Sequence, residues 1–400
     1  MQSVNRRTLL KGVAGLSAAG VLAGCTGGQE DNTVADTLRV AAPTIALPQE
    51  PHGAEKFREL HGVELERESV SGAPSDIVSL FVAGDGQDRF DALWDNGGLD
   101  DNGMEDLLRE EGVIQPIDKS EISNWNALHP DYKEGGIYSG TLRYPTDDGM
   151  ELVAVPSVRN VDSVAYVESR APEPDSFGVL FDNDEFMGQT AIVDDYSVTP
   201  MLCALYMNSA GLADIEKPNN MTEDEIETVI DFLIERKQAG QFKTIWQSFQ
   251  DSVNLLVNEE VAYMYTFESA VIAAQDQGAD VGYPPLPETG GMPWADNWLM
   301  TQGAVDRGRE GAFYELADWA LSDVHGADMI QTRGYLSGIQ SDRIVDYVED
   351  HPEDYDVDRI RDMIERKNER YEVSSQWARL NVAPDNLSTY QDEWQRFLNA

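Results

Sequence analysis

The chain has 400 residues, of which 73 are acidic and 29 basic, giving a formal charge of −44. So acidic a chain cannot neutralise phosphates, which excludes nucleic acid as a partner, and its 41% hydrophobic residues exclude the composition of a disordered protein. The acids run along the whole length, the pattern of a halophilic protein adapted to molar salt. There the Debye length is only about 3 Å, so short desolvated contacts select a ligand and net charge does not draw it in.

In chain order, residues 1–24 read as an export signal, with Arg6 and Arg7 before the apolar run Val13 to Ala23. That run is shorter than the roughly 20 residues a membrane span needs. Arg6, Arg7, Leu9, Leu10 and Lys11 resemble a twin-arginine signal, and Leu22, Ala23, Gly24 and Cys25 resemble a lipobox of the haloarchaeal kind. The second resemblance implies a lipid on Cys25 and anchoring at the outer face of the membrane. Residues 25–36 are small and polar, as in a flexible tether. The other cysteine, Cys203, lies among apolar residues and reads as a small buried hydrophobe, which leaves no intrachain disulfide.

"TLRVAAP" (37–43) reads as a buried strand, "GAEKFREL" as a helix ending at Gly62, and "VELERESV" as an alternating strand. A helix "SDIVSLFVAG" and a strand "FDALW" ending at Trp94 follow. Further strands are expected at 151–158, at 190–195, in "VAYMYTF" and in "DVGYPP". Strands alternating with helices predict a largely parallel α/β sheet. The clearest helix follows the capping box Thr222/Glu225, buries Ile226, Val229, Ile230 and Leu233, and stops at Gly240. The last 60 residues read as acidic helices. A length of this order favours two domains.

Catalytic patterns are missing. The five histidines, at 52, 61, 129, 325 and 351, include no HExxH, and there is no G-x-S-x-G, P-loop or GxGxxG. "DNGGLDDNGMED" (95–106) lacks EF-hand spacing and reads as a solvated loop. No catalytic residue, cofactor or resident metal is expected.

Four segments carry a resemblance. "YPTDDGMELVAVPSVRNVDSVAYV", "MGQTAIVDD", "NEEVAYMYTFESAV" and "DVGYPPLPETGGMPWADNWLMTQGA" are similar, in this order, to segments of the extracellular solute-binding proteins of ABC importers, in the spermidine/putrescine branch. The resemblance runs from about Leu38 to Leu398. It implies a type II periplasmic-binding-protein fold, with two α/β lobes, a ligand cleft and a hinge. Lobe 1 would hold 37–154 plus 295–336, and lobe 2 would hold 155–294 plus 337–400. It also implies a monomer that captures a polyamine-like cation and hands it to an ABC permease.

The site residues follow from acids and aromatics at strand ends in these segments. They are Asp194 and Asp195, Phe267 and Glu268, Trp294 and Asp296, with Tyr335 and, after the third strand, Trp94 and Asn96. An ammonium group needs acceptors for its N–H bonds, each contributing roughly 1.5–3 kcal/mol, and aromatic faces worth about 0.5–2 kcal/mol each. Micromolar affinity requires about 8 kcal/mol, so three to five contacts suffice. Trp298 and Trp319 are expected to pack in the core, and Asp194 has a second reading as the cap of a helix starting near Ser197.

Other readings stay open. The first turn, "APTIALP", has no aromatic ring, and Trp, Asp and Asn also suit a sugar; thiamine or ferric iron are alternatives on the same fold. An exported hydrolase built on Asp194 and Asp195 is disfavoured, because neighbouring strand residues point to opposite faces. A glycosylated surface protein bearing the sequons at Asn220 and Asn386 is the third class.

Overall fold

The computed structural model describes residues 35–42, 52–70, 74–95, 104–146, 149–374 and 384–400. The export signal, Cys25, Asn96 and the tether up to residue 34 lie outside them.

Strand β1 (Thr37–Ala42) buries Leu38 and Val40 completely and pairs parallel with β2 (Glu64–Ser69) and with β3 (Ala92–Asp95). β2 is the outermost strand, and its charged, part-exposed sequence ELERES suits an unpaired edge. β4 (Arg143–Thr146) and β5 (Gly149–Leu152) form a separate hairpin. The chain then enters β6 (Ala154–Val167), fourteen residues long and buried throughout, a run of about 45 Å at 3.3 Å per residue. β7 (Thr190–Val193) lies parallel to β8 (Phe242–Trp246) and β9 (Tyr263–Thr266). The short β10 (Val281–Gly282) and β12 (Leu336–Ser337) pair with β6, as does the nine-residue β11 (Met292–Met300).

The main sheet has the order β2-β1-β3-β11-β6-β9-β7-β8. Its two ends are parallel, as the alternation of strands and helices predicts. Its centre is not: β11 runs antiparallel to both β3 and β6, and β6 antiparallel to β9. The largely parallel sheet expected from the sequence is therefore corrected to a mixed one. β6 joins the halves, because Ala154–Asp162 pair with β11 while Ser163–Tyr166 pair with β9.

Two element boundaries differ from the sequence reading for the same reason. The strand expected at 151–158 is broken at Val153 and then continues to Val167 through Asn160, Asp162 and Ser163, polar residues that interrupt the apolar run. "PWADNW", in a segment rich in Pro and Gly for which no strand was expected, lies wholly inside β11, whose nine residues are all buried. Pro293 is tolerated there because β3 reaches only Asn297–Met300, so β11 has a partner on one side at that point.

The helix Glu223–Ala239 matches its sequence signals, with the Thr222/Glu225 capping box closed and Gly240 left-handed at φ 86°. Cys203 is buried in the helix Val198–Ser209, and Trp319 packs against Phe57 and His325. Asn220 exchanges two hydrogen bonds of 3.0 Å with Asp385, through its side-chain amide and the Asp385 backbone and carboxylate.

Candidate functional site

The antiparallel pairing of β6 and β11 sets Met292 opposite Asp162, Trp294 opposite Asn160 and Asp296 opposite Val158. Side chains alternate along a strand, so Asp162, Asn160, Trp294 and Asp296 share one face of the sheet. β3 adds Trp94 and Asp95, opposite Trp298 and Asn297. Tyr335, next to β12, sets its ring edge-on to Trp294 at 5.0 Å and shares a 3.0 Å hydrogen bond with Ser269. Asp162 occupies the handover point, as the last residue of β6 paired with β11.

The carboxyls of this cluster are almost out of water, with Asp162 0%, Asp95 1% and Asp296 6% exposed. The hydrogen bonds of Asp162 and Asp296 come from neutral groups. Asn160 Nδ2 donates to Asp162 Oδ1 at 3.1 Å and the Tyr265 hydroxyl to Oδ2 at 3.0 Å. Trp94 Nε1 donates to Asp296 Oδ2 at 3.1 Å, while Asp296 Oδ1 accepts no hydrogen bond. The Trp294 N–H is directed at Asp162 without reaching hydrogen-bond geometry. Burial pushes Asp162 up to about 6, against hydrogen bonds that favour its charge. Burial, reinforced by the charge of Asp95, pushes Asp296 well above the usual carboxylate range. Both effects disfavour a bare negative charge, so a cation placed here would relieve them.

Other buried acids are neutralised internally. Asp91 is fully buried and lies between Arg307 Nε at 2.7 Å and Arg309 Nη1 at 2.9 Å. Glu268, 5% exposed, is held by Lys367 and by Arg370 at 2.9 Å; burial opposes its ionisation, but the two cations keep its pKa below the ordinary value.

The residues selected from the sequence therefore divide. Trp94, Trp294, Asp296 and Tyr335 gather in the cluster. Glu268 adjoins it with internal counterions, and Phe267 stands before the helix Glu268–Gln275 against Trp246 and Tyr265. Trp298 packs at right angles on Trp94, 5.0 Å between centroids. Asp194 and Asp195 serve the fold at the end of β7. Asp195, and not Asp194, caps the helix Val198–Ser209, since its Oδ1 accepts from the Ser197 and Val198 N–H groups at 2.8 and 3.0 Å. Asp194 instead accepts from Trp394 Nε1 and Gln247 Nε2, both at 2.8 Å, which fastens the C-terminal helix Leu387–Asn399 to the sheet. Asp194→Ala is expected to lower stability by about 1–2 kcal/mol through the orphaned indole N–H and to leave ligand-induced stabilisation unchanged, as urea midpoints with and without ligand would show.

Asp162 is the member that a search for acids beside aromatics passes over. Its signal is different: a carboxyl in the middle of the apolar strand AVPSVRNVDSVAYV.

Residues 54–350 match the family model of the bacterial extracellular solute-binding proteins. The chain belongs to this family. Solved structures give the same fold at low identity. A putative spermidine/putrescine ABC transporter protein from Listeria monocytogenes is 16% identical, with a TM-score of 0.66 over 91% of this chain and 99% of that one. A spermidine/putrescine substrate-binding protein from Streptococcus pneumoniae, in complex with calcium and HEPES, is 13% identical, with a TM-score of 0.68 over the same shares. A binding protein from Agrobacterium tumefaciens in complex with glucopine is 14% identical, with a TM-score of 0.63 over 90% of this chain and 99% of that one. No match was found among curated protein sequences.

In this solute-binding protein two surface depressions lie outside the acid cluster. One, of about 590 Å³, is lined by Asp276, Gln331, Tyr355 and Arg359. The other, of about 360 Å³, includes Glu268 and Tyr283 at the edge of the cluster.

Proposed function

We propose that the protein captures a small organic cation of the polyamine class and delivers it to an ABC permease. Asp162 and Asp296 accept the ammonium groups, and Trp94, Trp294 and Tyr335 line the methylenes. The observation that carries this reading is the contrast among buried acids: Asp91 and Glu268 each have two cationic partners, while Asp162 and Asp296 receive hydrogen bonds from neutral donors. Two positions four residues apart along paired strands suit an elongated ligand better than a single ion. The polyamine names of two structural neighbours agree, and the glucopine complex shows that this fold serves other ligands.

The lobes are 37–154 plus 295–336 and 155–294 plus 337–400, and they join along β6, whose first stretch, Ala154–Asp162, pairs with β11. Because the acids are buried, solute enters when the lobes part, and contacts to both lobes favour closure. The protein is exported, held at the outer face of the membrane by a lipid on Cys25, and works as a monomer in molar salt.

Melting temperatures in molar KCl with putrescine, spermidine, thiamine, ferric iron and a set of sugars test the ligand class. A polyamine at one hundred times its Kd should stabilise the protein by about 2.7 kcal/mol. A response to a sugar alone would overturn the cation assignment, and no response at all would overturn the site.

A further inference from the structure

The Asp162 carboxyl is held by a chain of side chains that begins on the helix Val357–Ser374. That helix carries Lys367 and Arg370 three residues apart on one face, 1% and 2% exposed in their side chains. Glu268 anchors both, Lys367 through its ammonium and Arg370 at 2.9 Å from each carboxylate oxygen. Arg370 is fixed further by the Tyr283 carbonyl, to which it donates at 2.9 Å. So held, the Lys367 ammonium donates to Asn160 Oδ1 at 2.8 Å, and Asn160 Nδ2 donates to Asp162 Oδ1 at 3.1 Å.

The chemistry of the two ends dictates how the Asn160 amide is turned. An ammonium has donors and no acceptor, and an ionised carboxyl only accepts. An amide between them satisfies both in one orientation, oxygen toward Lys367 and nitrogen toward Asp162. Turned over, it would set oxygen against carboxylate and N–H against ammonium. The orientation matters because a donor to a carboxyl favours its charged form, and the charged form is the one that accepts an ammonium.

The other groups facing Asp162 do not replace this donor. The Tyr265 hydroxyl serves the second oxygen, Oδ2, at 3.0 Å. The Tyr283 hydroxyl stands 3.5 Å from Oδ1 but donates at 2.8 Å to the Thr266 carbonyl, and Tyr335 is engaged with Ser269 at 3.0 Å. The charge of Glu268 opposes ionisation of Asp162, and Asp296 faces it from β11 with the same sign.

We propose that Lys367 and Asn160 are positioning residues for the solute: Lys367 fixes the Asn160 amide, and the amide holds Asp162 oriented and ionised for the ligand's ammonium. This rests on the reading that Asp162 accepts a cation.

Calorimetric titration of the full chain with putrescine in molar KCl, from pH 5.5 to 8, tests it on the wild type, Asn160→Ala, Lys367→Met and the double variant. Lys367→Met leaves the Glu268–Arg370 pair intact, and Asn160→Ser, whose hydroxyl is too short to bridge, replaces Asn160→Ala if the latter does not fold. Removing the ammonium also changes the field at Asp162 through space, with or without Asn160, so only the part of its effect that disappears with Asn160 is carried by the amide. Each single variant should weaken putrescine about tenfold at pH 6.5 and move the rise of affinity with pH upward by about one unit. Once Asn160 is gone, Lys367→Met should change affinity by less than about threefold. If Lys367→Met has the same effect with and without Asn160, the amide transmits nothing and the proposal is wrong while cation binding stands. A loss equal at every pH would overturn it too, making Asn160 a structural residue. If the wild type does not bind putrescine, the cation reading fails and this proposal falls with it.

Discussion

Asp162→Asn is expected to make the ligand-free protein more stable at pH 8 while abolishing its response to putrescine. The carboxyl is fully buried, and burial raises its pKa in the fold from the ordinary 3.8 to about 6. A carboxyl shifted upward stabilises the fold when protonated, so its contribution is complete below pH 4 and is lost as the pH rises through 6. The difference of roughly two pKa units corresponds to about 3 kcal/mol at 1.36 kcal/mol per unit. An uncharged Asn avoids that loss but gives up part of the hydrogen bonding to Tyr265 and Asn160, so a net gain of about 1–2 kcal/mol at pH 8 is expected, turning into a loss of about 1–2 kcal/mol near pH 4. Urea unfolding in molar KCl across this pH range, with and without putrescine, measures both effects. Asp296→Asn should behave alike, since burial and Asp95 push its carboxyl up as well. A variant destabilised at every pH that still responds to putrescine would show Asp162 to be a structural acid.

Asp91→Ala should do the opposite and cost about 3 kcal/mol or more, among the largest single losses available in the fold. This acid, 0% exposed, accepts from the Arg39 backbone N–H at 2.7 Å, from Arg307 at 2.7 Å and from Arg309 at 2.9 Å. It thereby ties β1 and the start of β3 to the turn after the helix Gln302–Asp306. Truncation leaves two guanidinium groups and a backbone donor without their acceptor. The urea midpoint should fall at pH 8, and the variant that still folds should keep its response to putrescine. A loss below about 1 kcal/mol would mean that solvent replaces the carboxylate at little cost. The pair of experiments separates two uses of a buried acid, one neutralised by the fold and one kept for a ligand.

Local structure was readable wherever the signal was local. The Thr222/Glu225 box, the apolar face of its helix and the stop at Gly240 depend on neighbours within one or two turns, and all three are formed. The same is true of β1, β3, β7 and β9, which are short runs of apolar residues between breakers. Reading failed where burial came from distant partners. Asn160, Asp162 and Ser163 sit in the middle of β6 because β9, β11 and β12 cover that strand, and nothing within a few residues announces it. The polar residues of PWADNW are enclosed in β11 on the same account.

By itself, the amino-acid sequence determined the α/β class, the resemblance to solute-binding proteins and the aromatic and acidic residue types from which the site is drawn, because these follow from short-range periodicity and from motif order. Only the tertiary structure separated the acids by the partners that surround them. Asp194, Asp195 and Glu268 are as acidic in sequence as Asp296, but Trp394, a helix N-terminus and the Lys367/Arg370 pair engage them. Strand pairing buries Asp162 and Asp296 among neutral donors, which is the ground for the proposed cation site. The free energy of a charge depends on its surroundings in space, and those surroundings come from residues up to two hundred positions away, as Trp94 and Asp296 are.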